Sequence, residues 1–327
     1  MNKRNWLVLL LVGVFAITSL NSCKKDEEST DTTDNGPTEW TRASVFTGDP
    51  RSNAATFTLD KVAYLVGGYI KTGNTLKDNY AFNGTEWTQK ADFTGSARHS
   101  AVGFAVGGKG YVGLGYDGDK ALKDFYQYDP NTNTWTKKAD FPGEARFGAV
   151  AFTIGDNAYV GLGATPTDKT FSDFYKYDPA SDTWTAIATK FTYKKAYAFA
   201  FVINNVAYVG GGTSNNAYPE EFFSFDGTEW KKLGDLKTDD IDVRRANASA
   251  FAIGSNGYVV SGRSASGVVT SVWKYTPSDD SWTSKHQALS IAREKAIGFA
   301  IDGKGYVATG ISASTYLDDN WQFVPVR

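Results

Sequence analysis

Self-similarity is the property that most narrows what this chain can become. Trp recurs at Trp40, Trp87, Trp135, Trp184, Trp230 and Trp282, at intervals of 47, 48, 49, 46 and 52 residues. A second register, the Tyr of an apolar–glycine run, falls at Tyr64, Tyr111, Tyr159, Tyr208, Tyr258 and Tyr306, at intervals of 47, 48, 49, 50 and 48. Two independent registers thus agree on six copies of about 48 residues, filling everything after residue 38. A unit that short buries its apolar face only against its neighbours, so the copies must stack.

Each copy reads as four strands. Ala149 to Ile154 is small and apolar, and a turn at Gly155-Asp156-Asn157 leads to Ala158 to Gly163. After a longer loop, Asp173 to Asp178 alternates as a half-buried strand does. A tight turn over 179–183 then delivers Trp184 and a fourth strand. Gly, at 33 residues, and 15% aromatics suit turns and pleated surfaces. No stretch carries a helical period, so the fold class is all-β, an antiparallel meander repeated radially.

The second strand ends in Gly67-Gly68 or Gly211-Gly212, and elsewhere in Gly-x-Gly at Gly113/Gly115 and Gly161/Gly163. An aromatic-x-aromatic-Asp follows about a dozen residues later, then Trp. This pattern resembles the kelch repeat, over residues 39–327, and the resemblance implies a six-bladed β-propeller. The last copy has three strands, Ala296 to Ile301, Tyr306 to Gly310 and Asp319 to Val324, and lacks a Trp strand. The first, Glu39 to Arg42, is a Trp strand without predecessors. Joining them closes the ring 3+1 and removes the open edge.

Ahead of the repeat, Lys3 and Arg4 precede an apolar run from Trp6 to Leu20, short for a spanning helix and suited to a signal peptide. It ends in Leu20-Asn21-Ser22-Cys23, which resembles a bacterial lipobox and implies lipid on Cys23, the only cysteine. Residues 24–38 are polar and cannot bury enough surface to fold. Three segments are expected: signal peptide 1–22, lipidated Cys23 and flexible tether 23–38, propeller 39–327. The implied setting is the bacterial cell envelope, lipid-anchored on the outer membrane, with a monomeric propeller.

Composition removes several functions. With 34 Lys+Arg against 36 Asp+Glu there is no cationic excess for nucleic acid. One cysteine and two histidines, His99 and His286, leave little for a metal centre, and no metal or other cofactor is expected. The kelch-type copper-radical oxidases need a Tyr–Cys crosslink, whereas Cys23 lies outside the repeats. No Gly-x-Ser-x-Gly elbow, P-loop or dinucleotide fingerprint appears.

What remains is the face bearing the second-to-third-strand loops, which vary freely and carry Tyr69, Tyr116, Tyr218 and Tyr316. A cation precedes each first strand: Arg51, Arg98, Arg146, Lys195, Arg245 and Arg293. Before each third strand stands Asp78, Asp124, Asp173, Glu221, Ser271 or Asp319. Such pairs either bind an anionic ligand or tie each strand to its blade. An asymmetric ligand should break the symmetry, which directs attention to Tyr197, Arg263, Glu294, Lys295 and His99. The favoured expectation is a non-catalytic module binding a glycan or an envelope protein through this face. The alternative is a metal-independent sugar-active enzyme resembling the sialic acid epimerases (mutarotases), with Glu294 or His99 as acid/base.

Overall fold

The computed structural model describes residues 39–188 and 191–325. The expected signal peptide, Cys23 and tether lie outside these residues. Six four-stranded antiparallel sheets follow one another around an axis. In blade two the strands, from the channel outward, are Val102–Val106, Lys109–Gly113, Phe125–Asp129 and Thr134–Lys138. Blade one runs Ala55–Leu59, Val62–Ile70, Thr75–Phe82 and Trp87–Lys90, with Arg51–Ser52 added beside the second strand. The other blades repeat the order, so the all-β, six-bladed architecture is as the repeat implies.

The last blade consists of Ile297–Ile301, Lys304–Ala308 and Asn320–Val324, completed by Glu39–Arg42. Trp40 pairs with Phe323, and their rings lie 4.9 Å apart. Its indole N–H donates to the Gln287 carbonyl at 2.8 Å, which ties the closing strand to blade five.

The core is not central. Six apolar clusters each fill one gap between neighbouring blades. Between blades one and two, Phe57, Tyr64, Tyr128 and Trp135 pack together. A Cβ on Gly110 would stand 2.1 Å from the Phe57 ring, so that strand position tolerates no side chain. Farther out, Tyr128 donates to Asn133 at 2.7 Å, and Asn133 accepts the Ala91 N–H of blade one at 2.9 Å. Each first strand alternates large residues toward a cluster with small ones toward the axis, where Ala, Gly and Thr leave a narrow channel.

Two closed circuits of backbone hydrogen bonds join the blades on the loop face. Gly68, Gly115, Gly163, Gly212, Gly262 and Gly310 each donate to the carbonyl of the next blade's cation, at 2.7–2.9 Å. All six have φ between +84° and +111°, which explains the glycine of the repeat signature. Nearer the axis Asn53, Ser100, Gly148, Tyr197, Asn247 and Lys295 form the second circuit. Each N–H there donates to the preceding blade's carbonyl, Asn53 to Lys295 included, at 2.7–3.1 Å.

Because half-buried Trp40 holds the closing strand by ring packing and by its N–H, Trp40→Ala should lower stability by about 2–3 kcal/mol. Urea unfolding should show a reduced midpoint without loss of slope.

Candidate functional site

The six cations do not project into the channel mouth. Arg51, Arg98, Arg146, Lys195 and Arg293 are buried to 0–1% exposure and Arg245 to 2%. Each guanidinium of blades one, two, three and six forms a fork on its own acid. Arg98 meets Asp124 at 2.7 and 3.0 Å, and Arg51, Arg146 and Arg293 meet Asp78, Asp173 and Asp319 in the same way. The same Nη1 also donates to a second-strand carbonyl: Gly67, Leu114, Leu162 or Thr309. Burial alone would raise the Asp124 and Asp319 carboxyls, but the arginine bonds and charge outweigh it and hold both low. The guanidiniums of these four arginines are fully engaged and buried, and the pairs act as clamps within the blade.

Blade four departs from the pattern. The Lys195 Nζ reaches only the Glu221 carbonyl, at 3.4 Å, while Glu221 Oε2 is buried without a partner. Burial pulls the Lys195 ammonium down to about 8, against a smaller opposing pull from Glu221.

The accessible chemistry lies one and two residues past each cation. The residue directly after it pairs across the rim with the second-to-third-strand loop: His99 with Tyr116, Phe147 with Ala164, Ala246 with Arg263, Glu294 with Ile311. The residue after that belongs to the inner circuit, whose six members all have φ of +52° to +60°. Asn, Ser and Gly adopt this conformation readily, but Tyr197 and Lys295 do so at a cost of about 1–2 kcal/mol each. They are held there by the closed circuit. The mouth cavity they line is about 170 Å³. Tyr197 reaches over Gly148, where a Cβ would stand 2.6 Å from its ring.

An aromatic arc surrounds this mouth. Tyr316, Tyr69, His99, Tyr116, Phe147 and Tyr197 follow one another with ring centroids 5.2–6.3 Å apart, across blades six, one, two, three and four. The loop tyrosines Tyr69, Tyr116 and Tyr316 are therefore half-buried, and Tyr218, outside the arc, is half-buried as well. Burial, with the Lys295 charge adding to it, lowers the His99 imidazole, and its Nδ1 lies 3.0 Å from Ser100 Oγ. Burial pushes the Tyr197 hydroxyl up to about 12.

The arc is broken at blades five and six by a charge pair. Arg263, 46% exposed, grips Glu294, 7% exposed, through Nε at 3.0–3.1 Å and Nη2 at 2.6 Å. The mouth thus has an apolar, flat-sided arc and one polar sector, with Asn53, Ser100, Asn247 and Lys295 on its floor. The opposite end of the channel is wider, about 500 Å³, but is lined by Ala, Thr, Val, Gly and Phe without a charged group. Among the described residues no cluster of three or more His, Cys, Asp or Glu is placed to hold a metal.

Of the residues singled out in the sequence, Tyr197, Arg263, Glu294, Lys295 and His99 are brought together at the mouth. Asn53 and Ser100 were missed. Their signal was positional, a residue tolerant of left-handed φ two places after each cation, visible only once the ring is closed.

These six blades around a narrow channel define a β-propeller with its polar chemistry on the loop face. The chain belongs to the Kelch-repeat family: residues 20–200 match the KLHDC2/KLHL20/DRC7 Kelch-repeats domain. The solved "Structure of YjhT" is similar over 84% of this chain and 95% of that one, with a TM-score of 0.70 and 18% identity. At that identity the likeness establishes the fold alone, one shared with hundreds of solved chains. No curated protein matches the chain in sequence.

Because Lys195 titrates near 8 when folded and 10.5 when unfolded, its charged form is disfavoured in the native state. The unfolded chain then binds more protons between those values, so stability rises with pH from about 8 upward. The buried-charge cost, on the order of 3 kcal/mol, is present in full below pH 8. Denaturant titrations at pH 7 to 10 should show that rise, and Lys195→Met should flatten it.

Proposed function

We propose that the protein is a non-catalytic binding module whose loop-face mouth takes a sugar ring carrying an acidic group. The observation that supports this best is the aromatic arc from Tyr316 to Tyr197. It presents half-buried ring faces and edges around a polar floor bearing the Lys295 ammonium. Aromatic faces suit the C–H surface of a sugar, and a cation beside them suits its carboxylate. A rigid disc supplies such a surface with little loss of conformational freedom on binding.

A glycan array probed with the protein should retain acidic glycans. Tyr116→Ala and Lys295→Ala should each weaken retention at least tenfold while the protein stays folded, with Tm lowered by no more than a few degrees. Equal binding by both variants would sink this reading.

A sugar-active enzyme is the second reading, favoured by one observation. His99 is held toward its neutral form at the mouth, as a general base requires. Glu294 fits less well, because Arg263 occupies both of its oxygens. Under the binding reading, proton NMR of sialic acid anomers should show no exchange above the buffer rate. Faster exchange that disappears in His99→Gln or in Glu294→Gln would select the enzyme.

The propeller is further proposed to be a monomer tethered to the bacterial outer membrane by lipid on Cys23. Supporting this are the basic start, the apolar run and the placement of the only cysteine. Cys23→Ser should move the protein from the detergent phase to the aqueous phase after cellular expression.

A further inference from the structure

The repeat lets each blade serve as a control for the others. In blade six the Asp319 carboxylate is a shared acceptor, taking both Nη groups of Arg293 and the indole N–H of Trp321, the latter at 2.6 Å. In blades two and three Tyr126 and Tyr175 stand two residues along from Asp124 and Asp173, where burial first, and then the nearby acid, pushes each tyrosine hydroxyl up. Blade six thus holds one anion by a guanidinium and by an aromatic donor.

Blade five keeps both donors and lacks the anion. Ser271 follows Arg245 by 26 residues, as Asp319 follows Arg293. Trp273 stands where Trp321 stands: Trp273 pairs with Val259 and Trp321 with Val307, each on the second strand. Arg245 is 2% exposed and Trp273 9%. The Nε and Nη1 of Arg245 donate to the carbonyls of Val243, Ser261 and Ser271 and to Ser271 Oγ, at 3.0–3.4 Å. All are neutral acceptors. In the other four arginine blades Nη2 donates to the second carboxylate oxygen; here nothing among the described residues replaces it.

Trp273 Nε1 is buried and has no acceptor. The acid that acts on Arg245 most, Asp242, is itself forked onto Arg244 at 2.8 and 2.9 Å. An unneutralised buried guanidinium and an orphaned buried N–H are each costly, and strand register puts both residues where blade six holds one acceptor between their counterparts.

We propose that a small monovalent anion, chloride in ordinary solution, occupies the missing carboxylate's place in blade five. Its ligands are Arg245 Nη2, Trp273 Nε1 and the Ser271 hydroxyl, whose oxygen accepts from Arg245 and whose proton is free to donate onward. Ser271 is half-buried, which gives an ion a way in. The burial that pulls Arg245 down to about 10 is the strain the anion relieves. Blade four is not a second such site, because an acidic residue, Glu221, stands at the corresponding place and its charge already acts on Lys195, and Phe223 offers no donor.

The test is thermal unfolding of the whole protein while chloride replaces gluconate, an anion too bulky for the site, at fixed ionic strength. For a site with a Kd near 10 mM, 100 mM chloride should raise Tm by about 2–3 °C. Ser271→Asp, which restores the carboxylate of the other blades, should raise Tm in gluconate and abolish the chloride response. Trp273→Phe keeps the ring, loses the donor, and should at least halve the response. In a bromide-soaked crystal the anomalous peak should fall within hydrogen-bonding reach of Arg245 and Trp273. An undiminished chloride response in both variants would overturn the proposal, as would a bromide map with no peak in blade five. Should neither variant fold, the bromide map decides.

Discussion

In four blades a buried guanidinium is gripped by an acid in, or directly before, its own third strand and by a carbonyl at the end of the second. Its backbone carbonyl is held by a glycine of the preceding blade. One residue therefore fixes the inner strand to its blade and the blade to its neighbour. A buried ion pair adds little net stability over an apolar substitute, but it enforces one geometry, since any slip leaves a charge unpaired. The flat loop face and the narrow mouth depend on that enforcement. So does the left-handed circuit, which holds Tyr197 and Lys295 in a conformation they would not otherwise keep.

Fold and site differed in how legible they were. Periodicity of Trp and Tyr gave the blade number, and the incomplete first and last copies gave the closure that Trp40 and Phe323 carry out. Strand ends differed by only a residue or two. The cation–acid pairs could also be seen, yet sequence could not say whether the guanidiniums faced solvent or strand, because both readings use the same residues at the same spacing. Burial decides it. The aromatic arc was less visible, because Tyr316 and Tyr69 become neighbours only through the closure, and His99 and Phe147 touch Tyr116 from different blades. Local sequence holds no trace of contacts made around a ring.

Departures from symmetry are where the molecule becomes individual. Blade four softens its clamp with a lysine, and blade five omits its acid. Between blades five and six the Arg263–Glu294 pair takes the place of aromatic surface. These changes fall on consecutive blades, so one side of the disc differs chemically from the other while the scaffold hydrogen bonds continue unbroken through it. The mouth can therefore be polar on one side and flat and apolar on the other without loss of rigidity.

The 3+1 blade also orders events in time. Blades one to five can form as their residues appear, each docking on the one before. The Glu39–Arg42 strand must wait for Asn320–Val324, roughly 280 residues later, or on the order of 15 to 60 seconds of synthesis. Throughout that interval the growing disc carries an unsealed wedge with apolar faces at both ends. The last strands made find the first, and only then does the circuit from Lys295 to Asn53 close. The chain is thus committed late and all at once, and a truncated product would be left open with its stickiest surfaces outward.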